Sequence, residues 1–262
     1  MTDKKPLILV TNDDGITAPG IRHLVKLMKE IGEVVIVAPD SPQSGMGHAI
    51  TTENPLYVDP IELPKNVTHK AYSCSGTPVD CVKIACQSIL SRWPDICVSG
   101  INHGSNSAIN VIYSGTMSAA VEAGTNGIPA VGFSLLDHSM EADFEPSSKF
   151  VKRIVRNILE EGLPKGVVLN VNIPKLKENE IKGIKVCRQS KARWEETFIK
   201  RQSPRGRDYF WPTGRFINEE NGEASDTDEW ALENGFISVV PVQHDLTAHS
   251  YLEELKTWKI ND

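Results

Sequence analysis

The chain has 262 residues, 40% of them hydrophobic and 24% charged, with a formal net charge of −6. That length suits one large domain or a domain with an extension, and the acidic balance argues against bulk nucleic-acid binding, which favours a basic face. No run of 18 apolar residues occurs, so no membrane-spanning helix is expected.

The opening Met-Thr-Asp-Lys-Lys-Pro leads straight into a short apolar run, Leu-Ile-Leu-Val at 7–10. That run is too short for a signal peptide. The cysteines, Cys74, Cys81, Cys86, Cys97 and Cys187, form no CxxC pair. They read as free thiols in a reducing cytoplasm, and zinc is not expected.

Up to about residue 175 the chain alternates strand and helix. Short runs rich in Val, Ile and Leu predict strands at 7–11, 34–38, 96–99, 130–134 and 167–172, as strands covered on both faces require. Ile21, Leu24, Val25, Met28 and Ile31 recur at helical spacing, so 20–31 reads as a helix ended by Gly32. Thr77 and Pro78 suit the N-cap and first position of another. Small residues at 117–124 predict a closely packed helix, and the apolar spacing of 146–161 a further one. The order implies an α/β fold with a mainly parallel sheet flanked by helices.

After Pro174 the character changes. Segment 182–207 carries nine Lys or Arg against two Glu, and 216–240 carries seven Asp or Glu with no Lys or Arg. The two segments can pair with each other or across a subunit contact, or the basic one can steer anions. Trp194, Phe198, Tyr209, Phe210 and Trp211 interrupt the polar run, which predicts hairpins that bury them. Residues 236–242 read as a strand.

The chemistry concentrates in four loops. The first strand runs into Asn12, Asp13, Asp14 and Gly15, at the strand end where α/β sheets bind ligands. Two ionised carboxylates ~5 Å apart repel by roughly 3 kcal/mol at an effective dielectric near 20, and a helix N-terminus offsets only about 0.3–1 kcal/mol. The pair either shares a proton or holds a cation, unless the segment is merely an acidic turn and cap. The second loop, 39–48, contains Ser44 and Gly45. The third, 100–106, contains Asn102, His103 and Asn106. The fourth is Tyr113-Ser114-Gly115-Thr116. Carboxylates, a hydroxyl and an amide carbonyl suit Mg²⁺ or Mn²⁺. Hydroxyls and free N–H groups at a helix start suit a phosphate, although each of these pieces alone is also an ordinary turn or cap. His48 and His103 fall in site loops as candidate proton donors.

Together these motifs resemble the survival protein E (SurE) family of metal-dependent nucleoside monophosphate phosphatases. The resemblance rests on Thr11-Asn-Asp-Asp-Gly, Ala38-Pro-Asp with Ser44-Gly, Ser75-Gly-Thr-Pro-Val-Asp80, Ser99-Gly-Ile-Asn-His-Gly104 and Tyr113-Ser-Gly-Thr116 with Ala119, Ala120 and Glu122. Thr227-Asp228, Ala231, Gly235, Ser238 and Pro241 follow later. It implies that Asp13, Asp14, Ser44 and Asn102 hold one divalent cation. It further implies that Asn12, Gly45, Asn106, Ser114, Gly115 and Thr116 serve the phosphate. Asp13 and Asp14 are the candidates for activating water, and direct attack by Asp13 stays open. The implied fold is a Rossmann-like core, 1–175, with a C-terminal extension, 176–262, whose hairpins exchange between subunits of a homodimer or homotetramer. The implied substrates are nucleoside 5′-monophosphates, with 3′-monophosphates left open. The pattern departs at Ser41-Pro42-Gln43, where many members carry an arginine, and at His103, where a small residue is common.

Two other readings compete. An aspartyl-phosphate phosphatase built on Asp-x-Asp-Gly would place Asn12 at the nucleophile position, where it cannot attack. A nucleotide-binding regulatory module would bind without turnover.

Overall fold

Strand β1 (Leu7–Thr11) is buried at every position. It lies between β2 (Glu33–Pro39) and β5 (Ile96–His103), parallel to both. Its side chains alternate between two cores. Ile8 and Val10 pack toward α1 (Pro19–Met28) and α4 (Ser148–Glu161). Leu7 and Leu9 pack in the cluster that holds α2 (Pro78–Ile84) and α3 (Gly115–Thr125). A strand enclosed on both faces has no polar face, which is why it reads as a continuous apolar run.

The computed structural model describes residues 5–62, 70–139, 141–220 and 223–258. Among them the main sheet also contains β3 (Val58–Pro60), β4 (Lys70–Cys74), β6 (Ala130–Leu135), β7 (Val167–Ile173), β8 (Ile184–Val186) and β11 (Ile237–Gln243). Its order is β3-β4-β2-β1-β5-β6-β7-β11-β8. The six strands from β4 to β7 in that order run parallel, and β3 and β11 pair antiparallel to β4 and β7. The expected α/β architecture is present, and all five strands expected before residue 175 are found. Strands β3, β4 and β8 are additions that short or polar segments did not announce.

One boundary differs in a way that matters. Sequence ends the central strand at Ser99 and puts Asn102 and His103 in a loop, whereas β5 continues to His103. After a register shift following Ser99, Asn102 and His103 pair with Ser134 and Leu135 of β6. The ladder, not the apolar pattern, carries the strand onward, and it seats Asn102 on a rigid element.

Two long strands, β9 (Ala192–Gln202) and β10 (Asp208–Asn218), form a separate antiparallel hairpin in unbroken register. The hairpin is as expected, but the burial of its aromatics is not. Trp194 stacks edge-on against Phe216 at 5.5 Å, yet Phe198 is 63% and Trp211 61% exposed. Among the described residues no second layer covers the outer part of this two-stranded ribbon. The basic and acidic segments do meet: Arg188 pairs with Glu220 and Asp226, and Arg193 with Glu219. Among the described residues the last α-helix is α6 (Leu252–Leu255), after α5 (Asp228–Glu233).

Helix α2 starts in a capping box. Asp80 N–H donates to the Thr77 hydroxyl, and Thr77 N–H donates to the Asp80 carboxylate. Thr77→Ala is expected to cost about 1 kcal/mol, visible as a drop of roughly 2–4 °C in melting temperature, with activity unchanged.

Candidate active site

Beyond Thr11 the chain leaves the sheet in a turn closed by Gly15, whose φ of +95° suits glycine. The Asn12 amide nitrogen donates to the Gly15 carbonyl at 3.0 Å. Gln43 N–H donates to the Asp13 carbonyl at 2.7 Å, and Gly47 N–H to the Tyr113 carbonyl at 3.1 Å. These bonds tie the second loop to the first and to the fourth. Helix α1 begins after Ala18 with no side-chain cap. Neither aspartate is spent on capping, so the acidic-turn reading loses its structural reason.

Asp13 is 4% exposed. The Thr116 hydroxyl donates to its carboxylate, and Gly115 packs against it so closely that a Cβ there would lie 2.7 Å from the Asp13 Cβ. Burial pushes the Asp13 carboxyl up to about 6, against the hydrogen bond from Thr116 and with the neighbouring charge of Asp14. Burial also raises Asp14, opposed by the His103 N–H and ring. Two carboxylates that resist ionisation side by side are the arrangement a cation relieves.

The remaining donors are oxygens. Asn102 spends its amide nitrogen on the carbonyls of His103 and Gly104, at 3.2 and 2.9 Å, which leaves its carbonyl oxygen for a ligand. The Asn12 carbonyl oxygen is buried without a hydrogen-bond partner, a cost a ligand or its water would remove. With Asp13, Asp14 and the Ser44 hydroxyl, this set fits a hard divalent cation. Among the described residues no cluster of three or more His, Cys, Asp or Glu suits a metal, so neutral oxygens would have to complete the site.

A cleft of about 180 Å³ opens beside these groups, lined by Asp13, Ser44, Gly45, Asn102, Asn106 and Ser114 together with His103, Ser105, Asn110 and Tyr113. Asn12 and Thr116 stand fully buried behind it. The Thr116 hydroxyl, read from sequence as a phosphate contact, is directed at Asp13 and orients that carboxylate instead. The Ser114 hydroxyl caps α3, accepting from Met117 N–H at 3.0 Å. His48 is absent from the cleft wall. Its ring meets Glu122 at 3.2 Å, and Lys83 shares that carboxylate. Its expected part as a proton donor is thereby withdrawn, while His103 stays at the wall. Ser105 and Tyr113 belong to the third and fourth loops, whereas Asn110 lies outside all four, because an ordinary turn residue gives no separate signal in sequence.

The model of the family described as survival protein SurE matches residues 8–196, a span that contains all four loops. A protein of Christiangramia forsetii named 5′-nucleotidase SurE is 68% identical over 262 residues, covering all of both chains. The chain belongs to the survival protein SurE family. A Flavobacterium johnsoniae protein with the same name is 67% identical over 261 residues, again covering both chains fully. The crystal structure of the SurE protein from Aquifex aeolicus superposes with a TM-score of 0.82 at 39% identity, over 96% of this chain and 98% of that one. The aspartyl-phosphate alternative does not survive. Asn12, at its nucleophile position, is buried with its amide bonded to Gly15.

Proposed function

We propose that this SurE-family chain hydrolyses nucleoside 5′-monophosphates to nucleoside and inorganic phosphate with one divalent cation, Mg²⁺ or Mn²⁺. The observation that carries the reading is convergence. Asp13, Ser44, Asn102 and Asn106 come from three separate segments to one cleft, in a chain 68% identical to a protein named 5′-nucleotidase.

In this reading Asp13, Asp14, Ser44 and Asn102 hold the cation. A divalent cation held there would supply Lewis-acid stabilisation of charge on a phosphoryl oxygen. Asn106, the Gly45 backbone and the start of α3 at Ser114-Gly115 receive the phosphate, where N–H groups and the helix dipole favour an anion, while Thr116 is spent on Asp13. The buried Asn12 supports the turn that aims both aspartates. Asp13, held by Thr116, takes the proton of the attacking water. Positioning and electrostatics supply most of the rate, as in phosphoryl transfer generally.

The proposal includes the division of labour along the chain. Residues 1–175 carry the chemistry, and 176–262 carry assembly into a homodimer or homotetramer. The exposed Phe198, Phe210 and Trp211 of the hairpin support such an interface. A cytoplasmic site of action is supported by the five free cysteines. No helix among the described residues is long and apolar enough to cross a membrane.

The test is phosphate release from 5′- and 3′-nucleoside monophosphates in EDTA, Mg²⁺ and Mn²⁺. Release is expected only with metal and mainly from 5′ substrates. Nucleotide binding without release under either metal would identify a regulatory module instead.

A further inference from the structure

The cleft wall at residues 105–113 is held from behind by the C-terminal part of the chain. Asp228, the first residue of α5, is 1% exposed. One of its carboxylate oxygens accepts from Ala108 N–H at 2.8 Å. The other accepts from the N–H and hydroxyl of Ser190, at 2.8 and 2.6 Å, and from Glu229 N–H at 2.9 Å. All four donors are uncharged. Burying a carboxylate among neutral donors is costly, and nothing in the proposed chemistry uses this one.

What Asp228 holds is unusual. Ala108 has φ of +49°, the one positive value among the described non-glycine residues, in a region alanine rarely adopts. It begins the short helical turn Ala108–Ile112, which carries Asn110 and leads to Tyr113, both on the cleft wall. Just before it, Asn106 is fixed by β7. Its N–H donates to the Asn172 side chain at 2.8 Å, and its carbonyl accepts from the Asn170 amide at 2.8 Å.

We propose that Asp228 is a positioning residue for the nucleotide: it holds Ala108 in its left-handed conformation and so shapes residues 106–113 to receive substrate. Of the proposed cation ligands, Asp13, Asp14 and Ser44 lie on other segments, and Asn102 is seated in β5 by its pairing with β6, so none of them depends on this clamp. This inference rests on the nucleotidase reading, and it predicts a split. Substrate binding weakens when Asp228 is changed, and metal binding does not.

The experiment compares the full-length wild type with Asp228→Asn, Asp228→Asn/Ala108→Gly and Ala108→Val. It measures kcat and KM for a nucleoside 5′-monophosphate, the half-saturating Mn²⁺ concentration, and calorimetric binding of inorganic phosphate. Loss of a charge-assisted hydrogen bond should raise KM and weaken phosphate binding roughly tenfold, with kcat and the Mn²⁺ requirement little changed. Glycine at 108 enters the left-handed region without steric cost, so the double variant should recover most of the loss. Ala108→Val keeps Asp228 but resists that conformation, and should reproduce the rise in KM even if Asp228→Asn fails to fold. The proposal is overturned if glycine gives no recovery, if Ala108→Val leaves KM unmoved, or if kcat and metal affinity fall together with KM. A wild type that turns over no nucleotide would instead refute the nucleotidase reading, and the phosphate-binding comparison would still judge Asp228.

Discussion

Asp13→Asn is expected to reduce phosphate release at least about a thousandfold, and to make the metal-free protein more stable at alkaline pH rather than less. The activity loss follows from the position of this carboxylate in the proposed site. A bound divalent cation contributes several kcal/mol of charge stabilisation in phosphoryl chemistry, and each 1.36 kcal/mol is a tenfold change in rate. The stability gain follows from burial. The carboxyl ionises at about 6 in the folded chain against 3.8 as a free group. Between those values the unfolded chain gives up its proton and the folded chain keeps it. The stability that this one carboxyl contributes is therefore greatest below about pH 4 and falls as pH rises through 6, by about 3 kcal/mol at 1.36 kcal/mol per pH unit. Asparagine has no proton to lose and escapes that fall.

The check is a pair of melts in EDTA, at pH 4 and pH 8, for wild type and variant. Comparing the two differences removes the fixed effect of altering the Thr116 hydrogen bond. The gain of Asp13→Asn over wild type should be larger at pH 8 by several degrees. Equal differences at both pH values would mean that Asp13 ionises as an ordinary aspartate and that burial stores no cost there. Full activity in the variant would remove Asp13, and with it the proposed cation site.

The central strands were legible because a strand covered on both faces leaves an apolar run with nothing polar to interrupt it, as Leu7–Val10 and Ile96–Val98 do. The extension of β5 through Asn102 was not legible, because it depends on a shifted ladder to β6 that no local pattern records. Hydroxyls were legible as polar groups but not as to their partner. Ser114 and Thr116 stand two residues apart, and one caps a helix while the other holds Asp13. Sequence separation cannot decide between those uses.

Some of the missing site did leave a trace. Asn170 and Asn172 lie two apart in an otherwise apolar strand, so they share a face. Two amides inside a buried strand must find partners, and theirs are the Asn106 backbone, the Ser105 hydroxyl and each other. The hairpin aromatics differ for the opposite reason. Trp194 and Phe198 do mark a strand, but they stay 44% and 63% exposed, with no second layer over the ribbon among the described residues.

Gly115→Ala should separate what the fold needs from what the site needs. Gly115 opens α3, and alanine is a better helix former than glycine by about 0.5–1 kcal/mol. Propensity alone therefore predicts an unchanged or slightly firmer helix. Contact predicts a damaged site. The added Cβ would stand 2.7 Å from the Asp13 Cβ and 3.0 Å from one of its carboxylate oxygens, closer than packed carbons sit. Either Asp13 moves or the start of α3 backs away, and both change the spacing between the carboxylate and the proposed phosphate site. A displacement near 1 Å can cost about a hundredfold in rate, so a loss of that order is expected with the melting temperature within a few degrees of wild type. The half-saturating Mn²⁺ concentration should rise as well, because the displaced group is one of the proposed ligands. Thr116→Ala, which removes the hydrogen bond to Asp13 but adds no atom, should do less. If Gly115→Ala kept full activity and an unaltered metal requirement, Asp13 could yield to a methyl group without consequence. The close approach of α3 to the turn after β1 would then be packing, with no part in holding the reacting groups.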